Sequence, residues 1–207
     1  MTPQIVAIST LLIVCVLFIV LFERFQRRTE YNRLQAFLVL IAKALTKVLW
    51  RARLVGPVTM PETGPAIIIC NHCSSVDPIF RQTVLRRVVR WMVAREYCEH
   101  PLFGGFLRAA MAIPVNRGGI DTKSTKMAIR TVSEGGAVGM FPEGRINTTD
   151  EFMGPVRPGA IVVALKCKAT IVPCYLDGAP YRGTAWSPFF MLAKVRVHFG
   201  EPIDVSE

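Results

Sequence analysis

From Thr2 to Phe22 the chain carries no charged residue, and Ile5 to Phe22 is almost wholly Ile, Val, Leu, Phe and Ala. At ~1.5 Å per residue a helix over 2–22 reaches ~30 Å, enough to cross the hydrocarbon core of a bilayer. A cleaved secretory leader would carry positive charge before its apolar stretch and a small-residue site after it. Here Met1 to Gln4 is neutral and bulky Leu21 and Phe22 run straight into charges, so the pattern predicts an uncleaved anchor. A second segment, 34–50, is amphipathic: Leu38, Ile41, Leu45 and Leu49 form an apolar stripe, while Lys43, Lys47 and Arg51 recur every fourth position. Such a helix either lies in the headgroup zone with its lysines snorkelling or packs on the domain that follows; the pattern allows both.

Beyond Gly56-Pro57 short β-branched runs alternate with amphipathic stretches, which predicts an α/β fold: a mixed, mostly parallel sheet flanked by helices, behind an N-terminal membrane-anchoring helical segment. Strands are expected at 66–70, 90–93, 111–115, 137–141, 170–175 and 194–199, and helices at 78–88, 101–109, 122–134 and 159–168. Asp121 is the expected N-cap of the third of these helices, and Gly135-Gly136 its stop. The chain thus divides into an anchor, 1–53, and one compact domain, 54–207; its 207 residues leave no room for two large domains.

The formal net charge of +10 favours anionic partners. Arg24, Arg27, Arg28 and Arg33 follow the first apolar stretch directly, so the positive-inside tendency puts the remainder of the chain on the cytoplasmic face of a membrane. Nucleic acid is not expected as a partner, because the aromatics lie inside apolar runs rather than among the basic residues. The six cysteines are scattered, several in apolar segments, as reduced core cysteines are. Cys70-x-x-Cys73 has no second pair at a suitable spacing, so no metal site is expected.

Three polar clusters fall at strand ends, where open α/β sheets gather their ligands. The first is Asn71 to Pro78 after the strand 66–70. Asp77 before Pro78 has a ready explanation as a helix N-cap, and His72 as a loop histidine. Together they suggest more: five residues folded through a tight turn bring a carboxylate to one imidazole nitrogen and leave the other for a substrate. An imidazole, with its ordinary pKa of about 6.5, suits proton transfer near neutrality. Ser74 and Ser75 offer a rival, a serine hydrolase, but there is no G-x-S-x-G elbow and turn hydrogen bonding accounts for both. The second cluster, Ile113 to Gly119, carries Arg117 beside two glycines, a candidate anion site or a surface arginine in a turn. The third, Phe141 to Arg145, carries Glu143, Gly144 and Arg145: a support for the site, a point of close backbone approach and a second phosphate contact, or simply a turn.

The clusters in this order resemble the glycerolipid acyltransferase family, whose best-known members are 1-acylglycerol-3-phosphate acyltransferases. Asn71, His72 and Asp77 match its Asn-His-x-x-x-x-Asp signature, Arg117 its arginine motif, Phe141 to Gly144 its Phe-Pro-Glu-Gly, and Ile171-Val172-Pro173 a proline-centred motif. The likeness runs from about Leu54 to Ile203. It implies that His72, oriented by Asp77, takes the proton of a lysolipid hydroxyl attacking a thioester of acyl-CoA or acyl-carrier protein. It further implies that Arg117 and Arg145 bind the acceptor phosphate, that Glu143 and Gly144 belong to the acceptor site, and that no cofactor is needed. The family usually reads Glu-Gly-Thr-Arg-Ser, whereas this chain has Glu143-Gly144-Arg145-Ile146-Asn147, with the arginine one residue early. A basic lipid-binding module without catalysis is the non-enzymatic alternative.

Overall fold

The computed structural model describes residues 2–118 and 121–205. The chain begins with α1 (Pro3–Gln26), 24 residues with none buried, which at ~1.5 Å per residue is long and apolar enough to cross a membrane. It outruns the expected 2–22 by one turn, because Glu23 and Arg24 at its polar end are no obstacle to a helix. A turn then leads to α2 (Arg33–Val48), started by a capping box: Asn32 Oδ1 accepts from Gln35 N–H (2.9 Å) and Gln35 Oε1 from Asn32 N–H (3.1 Å). Gln35, Ala36, Val39 and Thr46 are buried, so one face of α2 packs on the domain. Leu34, Phe37, Ile41 and Val48 remain exposed on another.

The domain is built on β1 (Arg53–Val55), β2 (Ala66–Cys70), α3 (Asp77–Gln82), β3 (Val89–Ala94), α4 (Arg95–Cys98), α5 (Gly104–Ala109), β4 (Ile113–Val115), α6 (Thr122–Ser133), β5 (Ala137–Met140), α7 (Gly159–Cys167), β6 (Thr170–Asp177) and β7 (Arg196–Phe199). The strands form one sheet in the order β1-β7-β6-β2-β5-β3-β4, parallel throughout except where β6 meets β7. β2 is central, with Ala66 to Ile69 beside Ala137 to Met140 and Ala66 to Cys70 beside Thr170 to Cys174. A strand covered on both faces must be apolar on both, and β2 is: Ala66, Ile68 and Cys70 join the core beneath Trp50 and Phe80, while Ile67 joins the core beneath α6 and α7. Asp121 caps α6 as expected, its carboxylate accepting from Lys123 and Ser124 N–H.

The expected pattern of elements is corrected in several places: α4 was not expected, α5 starts at Gly104 rather than 101, and β7 at Arg196 rather than 194. The helix expected over 78–88 stops at Gln82, because Tyr31 Oη donates to Leu85 O (2.8 Å) and Gln82 Nε2 to Arg87 O (2.9 Å), drawing the chain out of helical register. The strand expected from Met111 starts at Ile113; Met111 has φ +57° and closes α5 instead. β1 was not expected at all, being a three-residue edge strand whose pairing to β7 carries it.

Trp50, just past α2, is fully buried; its Nε1–H donates to Pro188 O (2.9 Å) and its ring meets Phe80 edge-on at 5.1 Å. On the neighbouring part of the sheet Trp91 of β3 lies directly beside Gly139 of β5. A Cβ at 139 would sit 2.3 Å from the Trp91 ring, so only glycine admits the indole there. Gly139→Ala is therefore expected to destabilise the protein by about 1–3 kcal/mol through overpacking, read as a lower denaturation midpoint in detergent.

Candidate active site

The chain leaves the sheet at Asn71, whose side chain prolongs the β2–β6 pairing: Oδ1 accepts from Leu176 N–H and Nδ2 donates to Leu176 O, each at 2.8 Å. The next residues fold around a single oxygen. Asp77 Oδ2 accepts from Cys73 N–H (2.7 Å) and Ser74 N–H (2.9 Å) and pairs with His72 Nδ1 (2.9 Å). Asp77 is fully buried, whereas the His72 side chain keeps 18% exposure. The capping explanation of Asp77 is thereby corrected: Val76 holds the N-cap position, Asp77 is the first residue of α3, and its carboxylate reaches back into the turn. With Nδ1–H directed to a carboxylate, the neutral ring carries its lone pair on Nε2.

A residue that the sequence reading passed over lies beneath this turn. Arg81 is fully buried, donating from Nη1 to Asp77 O (2.9 Å) and from Nη2 to Asn71 O (3.0 Å). Burial works against its charge, but the Cys70 thiol and the Asp77 carboxylate outweigh that and hold the guanidinium above its ordinary value. Its flat face lies 5.3 Å from the Phe141 ring and 5.9 Å from that of Trp91. The signal was present as an arginine one helical turn after Asp77, directly behind Ile79-Phe80.

The third cluster closes on the first. The His72 ring stacks on Phe141 (centroids 4.1 Å, 20°), which in turn stacks on Trp91. Glu143, nearly buried, accepts from His72 N–H at Oε1 (2.6 Å) and from Gly154 N–H at Oε2 (2.8 Å), and Asn147 N–H donates to His72 O (2.7 Å). Glu143 is thus committed to the backbone that carries His72. Gly144 has φ +70°, and a Cβ there would lie 3.3 Å from the Arg157 guanidinium, so its missing side chain lets that arginine approach.

His72 opens on a cavity of about 820 Å³. Arg117, Arg145, Arg157 and Gly144 line it together with His72, while Leu38 and Leu45 of α2, Trp91, Phe103 and Val163 supply apolar wall. The two expected arginines, from separate clusters, therefore meet at one cavity, with Arg157 as an unexpected third. Arg117 also pairs with Glu96 of α4. Burial alone would raise the Glu96 carboxyl, but its own backbone N–H and the guanidinium hold it below the usual range. Gly119 of the second cluster lies outside the described residues.

Neither serine is bonded to His72. Ser74 Oγ, fully buried, donates to Pro180 O (2.6 Å) and Ser75 Oγ to Ala185 O (2.9 Å). The Cys73 thiol beside them is pushed up to about 12, first by burial and then by the Asp77 carboxylate, so it stays protonated. Cys70 sits in register with Cys174 inside the sheet. Among the described residues no three His, Cys, Asp or Glu side chains gather as metal ligands.

Residues 51–177 match the model of a family described as Acyltransferase. A 1-acyl-sn-glycerol-3-phosphate acyltransferase of Bacillus subtilis is 30% identical over 146 residues, covering 70% of this chain and 69% of that protein. The enzyme of that name from Cocos nucifera is 27% identical over 150 residues, 69% of this chain but only 47% of its own length. Among solved structures, the 1-acyl-sn-glycerophosphate acyltransferase PlsC of Thermotoga maritima superposes with a TM-score of 0.67 at 18% identity, covering 91% of this chain and 78% of that one, which is a likeness of fold.

Two measurements test the geometry. At pH 9, where an ordinary thiol is about half ionised, alkylation of Cys73 should be slower than in the unfolded chain by roughly 10²–10³-fold, followed by peptide mass spectrometry. The sign for stability follows from the same shift: the folded state holds the Cys73 proton longer, so this contribution is intact below about pH 9 and is lost as pH rises towards about 12. Glu143→Ala strips two backbone N–H groups of their acceptor at about 1–3 kcal/mol each, and is expected to lower both the thermal midpoint and kcat.

Proposed function

The chain belongs to the acyltransferase family, and we propose that it moves a fatty acyl group from a thioester of CoA or acyl-carrier protein to the free hydroxyl of a lysophosphatidic-acid-like acceptor, giving phosphatidic acid. The observation that carries this reading is the imidazole of His72, fixed at Nδ1 by a fully buried carboxylate 2.9 Å away, on a cavity that also holds three arginines. A base and several cations lining one largely apolar chamber suit an acceptor with a hydroxyl, a phosphate and a hydrocarbon chain.

The acceptor hydroxyl gives its proton to His72 Nε2 as its oxygen forms a bond to the thioester carbonyl carbon. The tetrahedral adduct collapses by breaking the carbon–sulfur bond, and the departing thiolate takes the proton back from the imidazolium. No enzyme-bound acyl group is required, in keeping with two serine hydroxyls already donated to Pro180 O and Ala185 O. Asp77 sets the tautomer and stabilises the imidazolium. Glu143 is a positioning residue that acts through the His72 backbone. Arg117, Arg145 and Arg157 take the phosphate, with Gly144 allowing Arg157 close. The reaction draws on no cofactor. α1 supports membrane association, and the arginines after it, by the positive-inside tendency, favour a catalytic face on the cytoplasmic side.

The test is a donor and acceptor screen read by mass spectrometry on protein in lipid. Lysophosphatidate with acyl-CoA or acyl-carrier protein should release free thiol and phosphatidate. His72→Ala should lose ~10²–10⁴-fold or more in kcat, and Asp77→Asn should fall towards it, because an amide does not hold the same tautomer. Ser74→Ala should keep its transferase activity. Release that survives His72→Ala, or that needs Ser74 and prefers water as acceptor, would overturn the reading.

A further inference from the structure

We propose that a ridge of exposed apolar side chains on the catalytic domain, Leu102, Trp186, Phe190 and Leu192 with the outer edge of Phe106, is a contact with an anionic lipid surface in addition to α1. Fractional exposures along it run from 40% at Phe106 to 87% at Phe190, with Leu102 and Leu192 both at 73%. A run of large apolar groups so open to water on a folded domain marks an interaction surface.

Two stretches of chain, 101–111 and 179–195, build the ridge, and ring contact between Phe103 and Trp186 at 4.2 Å joins them. Their inner side chains, Phe103, Phe106, Tyr181 and Phe189, line the cavity of His72, so the ridge is the outer rim of the cavity wall. The second stretch is stitched to the end of α2 by Trp50 Nε1–H to Pro188 O (2.9 Å) and Ala193 N–H to Leu49 O (3.2 Å), and to the catalytic turn by Ser75 Oγ to Ala185 O (2.9 Å).

Charge selects the occupant. The two stretches contain Arg108, Arg182 and Lys194 and no Asp or Glu. The stretches that carry this aromatic and aliphatic crest are net basic, with the exposed Glu99 two residues before the first of them, which is the composition of an interfacial anchor on anionic lipid. Five side chains also fall short of the roughly 800 Å² per partner that a stable protein interface buries, which disfavours a second copy as the occupant. The function of the ridge rests on the acyltransferase reading above: seated on lipid, the rim receives a lysolipid acceptor from the bilayer without exposing its chain to water.

Trp186 supplies its own probe, because Trp50 and Trp91 are buried while Trp186 is 43% exposed. The full chain is reconstituted in vesicles of equal parts phosphatidylcholine and phosphatidylglycerol, with bromine on the acyl chains. Quenching of a blue-shifted emission is expected, absent in Trp186→Phe and weaker in phosphatidylcholine alone. The double variant Phe190→Glu/Leu192→Glu should lower transfer to vesicle-embedded lysolipid by about tenfold or more, the effect of roughly 1.4 kcal/mol, while transfer to a water-soluble short-chain acceptor stays unchanged. Trp186 unquenched in anionic vesicles, unaltered transfer by the double variant, or a cross-linked dimer through Trp186 would each overturn the proposal. If the unaltered chain transfers to neither acceptor, the acyltransferase reading fails, and quenching alone then decides the ridge.

Discussion

A carboxylate with no exposure to water organises this protein. Burying an ion without partners is costly, and Asp77 offsets part of that cost by placing three donors on Oδ2, two of them backbone N–H groups of the turn it closes, while its buried Oδ1 has no hydrogen-bond partner among the described residues. The consequence reaches in two directions. The turn becomes rigid because unfolding it would strand the charge, and the imidazole held by the same oxygen inherits that rigidity. Arg81 completes the arrangement from below by binding the backbone of Asn71 and Asp77, so the two ends of the turn that carries the histidine are tied to a single buried guanidinium.

Around this centre the structure uses shape more than charge. The imidazole lies on Phe141, Phe141 on Trp91, and Trp91 over a glycine that alone can admit it. Glu143, from a neighbouring strand end, holds the His72 amide and Gly154 together, so the loop after β5 cannot shift without moving the base. Positioning of this kind matters for proton transfer, where a displacement of an ångström separates a productive geometry from an idle one.

How much of this could be read beforehand depended on range. The apolar span of α1, the runs of β2 and β5 and the Asp121 cap are local in origin, and the sequence displays them openly. The His72–Asp77 pairing and the convergence of Arg117 with Arg145 were also legible, because strand ends collect on one side of a parallel sheet. Tertiary contacts were not. Tyr31, far away in sequence, ends α3 early; Met111 adopts a left-handed backbone that its residue type does not announce; β1 exists only through its neighbour. Glu143 looked like a substrate residue because a carboxylate in a turn gives no hint that both its oxygens are taken. Arg81 was hidden by the rule that arginine is a surface residue, which fails where backbone carbonyls and an anion surround it.

Trp50 gives the N-terminal region a meaning beyond tethering. It wedges the end of α2 into the core against Phe80 and Phe189, and the preceding turns of that helix form part of the cavity wall. The protein is consequently not modular: a version made by trimming the two N-terminal helices would be a chamber with one side missing, and an attachment grafted from elsewhere would not restore the enclosure.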